Sequence, residues 1–197
     1  MNPDFVNTAP DARLPPRERI LAVARDLFYR HGIRAVGVEA IAEAAGTNKM
    51  TLYRHFPSKD ELVAECLRAF AAKADALWEH IEAVHPGDPR AQLAAWVAAM
   101  GAHLADADAR GCAMCNAAVE LPDKAHPARR VIEAFKTAQR DRLARLCQAA
   151  GAAQAEMLAD ELFLLLEGAR VSVQSVGREG PGARFVRTAE ATIAGHM

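Results

Sequence analysis

The stretch Ile41–Leu62, IAEAAGTNKMTLYRHFPSKDEL, decides the fold of this chain. At its centre stands Gly46-Thr47-Asn48. Glycine reaches positive φ without a Cβ penalty, and Asn is among the strongest helix N-caps, so the tripeptide predicts a sharp turn with a capped helix leaving it. Upstream, Val38, Ile41, Ala42 and Ala45 recur at helical spacing over Val38–Ala45. Downstream, a second short helix covers Lys49–His55 and is broken at Phe56-Pro57. Ser58, with Glu61 three residues on, is a capping box that opens a long helix from Lys59 to Val84. At 1.5 Å per residue that helix spans roughly 39 Å. Before the stretch, a helix follows Pro15-Pro16, sets Ile20, Ala24, Leu27 and Phe28 on one face, and stops at Gly32.

Two short helices joined by a tight turn behind an amphipathic one form a helix-turn-helix layout. On a helical wheel Leu52 and Phe56 share the edge that packs inward. Met50, Thr51 and Arg54 fall opposite, where a recognition helix presents side chains to base edges, with Tyr53 on the flank for a phosphate. Lys49 lies in the first turn, and Lys59 adds its charge to the open N–H groups of the next helix.

Working outward, the rest reads as helix as well. After the turn His85–Pro89 come helices over Arg90–Ala107, Cys112–Glu120, Pro127–Ala150 and Gln154–Val176, and a last one after Pro181. Abundant alanine and only 6% aromatic residues favour an all-α chain of about nine helices. We expect a flexible tail over residues 1–14, a helix-turn-helix DNA-binding segment over 15–60 and a helical body over 61–197.

Composition narrows the classes. With 197 residues, 51% hydrophobic and 25% charged, the chain is neither disordered nor collagen-like. A formal charge of −1 excludes a generic polycation, although residues 1–60 hold nine Lys/Arg against seven Asp/Glu. The start carries two acids and no basic–apolar leader, and the most apolar run, Leu162–Leu166, is far shorter than the ~20 residues of a membrane span. Four cysteines without such a leader indicate a reducing, cytoplasmic setting with no membrane association.

The segment from Arg17 to Leu67 resembles the DNA-binding head of the TetR (tetracycline-repressor) family, most specifically at Ile41-Ala42, Gly46, Thr51-Leu52-Tyr53, His55-Phe56 and Lys59. The all-helical remainder is similar to that family's body in length and helix count. The resemblance implies a two-fold dimer on a palindromic double-stranded DNA operator, usually a repressor released by a small-molecule effector. It implies DNA contacts from Asn48, Lys49, Met50, Thr51, Tyr53, His55 and Lys59, beside Arg54 from the wheel. Three positions depart from the pattern. Val36-Gly37 stands where a Thr or Ser often caps the second helix, Glu39 where some relatives place a basic residue, and Met50 where a small residue is usual.

Gln154–Val176 is apolar on more than one face, which calls for a second copy packed through helices eight and nine, with Gly168 and Ala169 allowing close approach. Aromatic and Met residues on helices that line the cavity in relatives, Trp78, Trp96, Met100, Phe135 and Phe163, are candidate effector contacts, as are Cys112 and the polar Asn116 and Glu167. Arg170 is placed to pair with Glu167, and Asn116 and Glu120 share a helix face. Cys112 and Cys115 lie one turn apart, which makes a thiol redox-sensing regulator the alternative reading. A zinc site would need two more ligands, and His103, His126 and Cys147 are scattered, so no metal and no cofactor is expected. No acid pair, Ser/His/Asp set or phosphate loop speaks for an enzyme.

Overall fold

Pro16 opens the first helix because proline's fixed φ suits a position whose N–H would have no partner. The computed structural model describes residues 13–197 and places α1 at Pro16–His31. It continues with α2 (Val38–Ala44), α3 (Lys49–His55), α4 (Lys59–Val84), α5 (Pro89–Ala105) and α6 (Ala113–Glu120). Then come α7 (Pro127–Ala149), α8 (Ala155–Val176), a 3-10 turn at Pro181–Arg184 and α9 (Phe185–His196). The described residues thus form nine α-helices and no strand. Most of the tail expected over residues 1–14 lies outside the described residues.

Local chemistry explains where several of the helices begin and where α5 ends. Asn48 caps α3 by accepting the Thr51 N–H at 2.9 Å, and Ser58 caps α4 by accepting the Glu61 N–H at 3.0 Å. Asp88 does the same for α5 through the Ala91 N–H at 3.0 Å. The expected extension of α5 to Ala107 is not made. Asp106 turns its carboxylate forward to accept the Asp108 N–H at 3.0 Å, and this Asx turn ends the helix after Ala105. Cys112 becomes the N-cap of α6 rather than its first residue, and makes no side-chain cap.

The chain divides into two compact units. One runs to Lys73 and takes back Cys112–Ala134, and the other holds Ala74–Gly111 and Phe135–Met197. The boundary expected from sequence lies at residue 60, and compactness draws its lines inside α4 and again inside α7. The core of the first unit includes Ile20, Ala24, Ile41, Leu52, Phe56 and Leu62, each 1% exposed or less. On α1, Val23 and Tyr29 join Ile20, Ala24 and Phe28 in burial while Leu27 is only half-buried. The core of the second unit gathers around Leu93, Leu143, Leu158, Leu162 and Phe185.

Candidate nucleic-acid interface

Within the first unit, α1, α2 and α3 pack on one another, and the turn between α2 and α3 hangs on Gly46 at φ +62°. A side chain is disfavoured at that φ. Arg19 of α1 donates from Nε to the Ala45 carbonyl at 3.1 Å, tying the turn to the helix behind it. With Leu52 fully buried, the opposite side of α3 faces outward: Met50 is 80% exposed and Tyr53 39%. Arg54 is exposed too and donates to the Thr51 hydroxyl at 3.1 Å, one turn back.

Lys49 is not idle in this structure. Its Nζ lies 2.5 Å from Glu39 Oε1 and 6.0 Å from the centre of the Tyr53 ring. The hydrogen bond from Lys49 holds the Glu39 carboxyl below its usual range, and the same bond raises the Lys49 ammonium above its own. Glu39, an acid where a base-reading cation was conceivable, therefore serves as an internal counter-ion for Lys49. Gly37 at the start of α2 makes no side-chain cap. Lys59 lies at the N-terminus of α4 with its Nζ 5.9 Å over the Phe28 ring, and His55 is half-buried at the end of α3. The eight expected DNA contacts therefore fall on one short helix, its cap and the start of the next helix.

The eight expected effector contacts are divided between the two units. Cys112 and Asn116 belong to the first unit, the other six to the second. Trp78 and Trp96 are 6% and 5% exposed and stack at 6.0 Å and 14°, with Phe185 edge-on to Trp96 at 6.5 Å. Trp78 Nε1 donates to Gln139 Oε1 at 2.6 Å. Met100, Phe163 and Glu167 are linked through Lys136 and Arg170. Glu167 accepts from Lys136 at 2.7 Å and from Arg170 at 2.6 Å, Lys136 lies 5.5 Å over Phe163, and Arg170 reaches the Met100 sulfur at 3.9 Å. Phe135 is half-buried in the same unit.

Sequence reasoning anticipated the Arg170–Glu167 pair but not Lys136, thirty-one residues from Glu167, for which no local pattern gives a sign. It also missed a cleft in the first unit between α1, α4 and α6, where Asn116 and Glu120 both line the wall. No two cysteines are joined, and Cys66, Cys112 and Cys147 are buried while Cys115 is half-buried. Burial pushes the Cys66 thiol up to about 12 and Cys147 to about 11. Among the described residues no cluster of His, Cys, Asp and Glu could hold a metal ion, and no helix is long and apolar enough to cross a membrane.

Comparison with known proteins agrees with this geometry. The family model described as bacterial regulatory proteins, tetR family, matches residues 20–66, which cover α2, α3 and their flanks. The HTH-type transcriptional repressor KstR2 of Rhodococcus jostii is 43% identical over 82 residues, 41% of this chain and 39% of that protein. The HTH-type transcriptional regulator AcrR of Shigella flexneri is 34% identical over 77 residues, 39% of this chain and 36% of its own. The match to these curated relatives therefore spans well under half of their length. Solved structures extend the likeness to most of the chain. SCO4454, a TetR-family transcriptional regulator from Streptomyces coelicolor, aligns with a TM-score of 0.86 at 28% identity over 92% of this chain and 95% of that one. A tetR-type transcriptional regulator from Streptomyces avermitilis does so with a TM-score of 0.77 at 31% identity over 93% and 98%. With the helix-turn-helix in place and the likeness running nearly end to end, the chain belongs to the TetR family of bacterial regulatory proteins.

Proposed function

We propose that this protein is a homodimeric transcriptional regulator that represses from a palindromic DNA operator and is released by a small-molecule effector. The observation that carries the reading is α3 itself. It is capped by Asn48, anchored by the buried Leu52, and outward-facing at Met50, Tyr53 and Arg54. Anchoring on one side and exposure on the other is what major-groove insertion requires of a recognition helix. Phosphate contacts would come from Tyr53, Lys59 and Lys49, and base contacts from Met50, Thr51 and Arg54. Asn48 and His55 flank them at the two ends of α3.

A two-fold operator asks for a two-fold protein. On α8, Met157, Leu164 and Val171 recur every seven residues and are 53%, 69% and 62% exposed. Gly168, between the last two, has open space where its Cβ would stand. That stripe, with α9 beside it, supports a second copy docking there. An effector acts only through its difference in affinity for the DNA-competent and released states. Moving the balance from 99:1 to 1:99 takes roughly 5.5 kcal/mol, which two bound effectors could share.

The test is selection of duplexes from a random DNA pool by the purified, reduced protein. Enrichment of a palindrome with half-sites about one helical turn apart is the expected result. Failure to enrich any sequence at low salt would overturn the reading.

A further inference from the structure

In the first unit, an open cleft lies between α1, α4 and α6. Its walls are largely apolar, from Phe28, Tyr29 and Ile33 on one side and Val63, Leu67 and Phe70 on the other. Three of those six are aromatic. Two charged groups interrupt the walls, Arg25 of α1 and Glu120 of α6, and Asn116 lies one turn before Glu120. Their placement along the cleft is informative. Glu120 is bound to the far end of α1, where its Oε2 accepts the Arg34 N–H at 3.0 Å and its carboxylate lies against Gly32. Arg25 stands seven residues earlier on α1, which at 1.5 Å per residue is about 10 Å along the axis. The largely apolar cleft thus carries a cation on α1 and a hydrogen-bond acceptor on α6.

We propose that this cleft binds a small aromatic carboxylic acid with a hydroxyl at its far end, the carboxylate on Arg25 and the hydroxyl on Glu120 and Asn116. Apolar walls with a few well-placed polar groups are the ordinary build of a small-molecule site. A carboxylate meets a guanidinium in paired, charge-assisted hydrogen bonds. Burial holds the Arg25 cation below its usual range, the Cys66 thiol beside it giving a smaller opposing effect. The site also touches the DNA-binding head. Glu120 holds the loop that leads from α1 into α2, and a hydroxyl that draws the carboxylate away loosens its hold on Arg34. Occupancy would then bias the helix-turn-helix, a consequence that rests on the regulator reading above. The binding itself does not rest on it.

The probe is 6-hydroxy-2-naphthoic acid, titrated into the full chain without DNA, beside 2-naphthol and 2-naphthoic acid. The chain has two tyrosines, Tyr29 in the cleft and Tyr53 on α3, and two tryptophans, both in the other unit. With fluorotyrosine and fluorotryptophan labels, saturating probe is expected to shift the Tyr29 fluorine resonance and leave those of Tyr53, Trp78 and Trp96 in place. Arg25→Gln is expected to weaken the two acids at least tenfold and leave 2-naphthol unchanged, and Ala113→Phe, which fills the cleft from α6, to remove all three. No binding, a shift at the tryptophans instead of Tyr29, or equal affinity in Arg25→Gln would overturn the assignment. The labelled wild-type spectrum decides even where a variant fails to fold. A protein that selects an operator yet ignores the probe would refute the cleft and not the regulator.

Discussion

Glu39 and Lys49 form a contact that would have to open, at least in part, for Lys49 to make the phosphate contact proposed for it. Both are exposed, so their pairing adds little to stability, but it neutralises a cation on the outward face. Glu39→Gln is expected to tighten binding to any duplex several-fold at low salt, and to steepen the dependence of log K on log salt by up to about one ion. Unchanged slopes in a salt titration would show that Lys49 does not meet phosphate. The pair's pH dependence follows from Glu39 being held below its usual value. Its contribution is present above the ordinary glutamate range and disappears as pH falls through the lowered value, so no change is expected between pH 6 and 8. The cysteines behave oppositely. Cys66 is protonated in the fold up to about 12, whereas an unfolded thiol ionises from about 9, so stability is expected to fall as pH climbs through that interval. Native alkylation near pH 7.5, read by mass spectrometry, is expected to reach half-buried Cys115 before Cys66, Cys112 or Cys147.

Among the elements, α6 has a role out of proportion to its eight residues. Its last residue, Glu120, supplies the acceptor for the Arg34 N–H, eighty-six positions away. Glu120→Ala is expected to cost about 1 kcal/mol in chemical denaturation, the usual worth of one such bond, and Glu120→Gln to recover most of it. Full stability in the alanine variant would show that the loop is held by other means. Helix limits were largely legible, because caps are local: Asn48, Ser58 and the prolines at 16, 89 and 127 each announce a start within a few residues. The end of α5 was not. Ala105 and Ala107 both favour helix, and the run ends where the Asp106 carboxylate accepts the Asp108 N–H and Arg178 takes the Asp106 and Ala107 carbonyls.

For the whole molecule, the exposed stripe on α8 is the feature that a single chain leaves unexplained. A Leu that is 69% exposed contributes little to its own fold, so Leu164→Glu is expected to leave the unfolding transition of the single chain nearly unchanged. Sedimentation should then find a monomer, and affinity for a two-half-site duplex should drop at least tenfold while half-site binding persists. A Leu164→Glu protein that remains a dimer would move the interface elsewhere. The expected effector contacts enter different local settings. Asn116 lines a cleft of the first unit, the tryptophans stack on each other, and Glu167 is shared by two cations from α7 and α8.

The amino-acid sequence by itself determined the helical class, the helix starts, the Gly46 turn and the outward residues of α3, because caps, φ preferences and the 3.6-residue period act within a few positions of the chain. Only the tertiary structure decided that Glu39 answers Lys49, that Glu120 holds the Arg34 loop and that Arg25 faces a cleft with α6. These contacts join residues ten to ninety-odd positions apart, and nothing in a local pattern encodes which distant partner a side chain will meet.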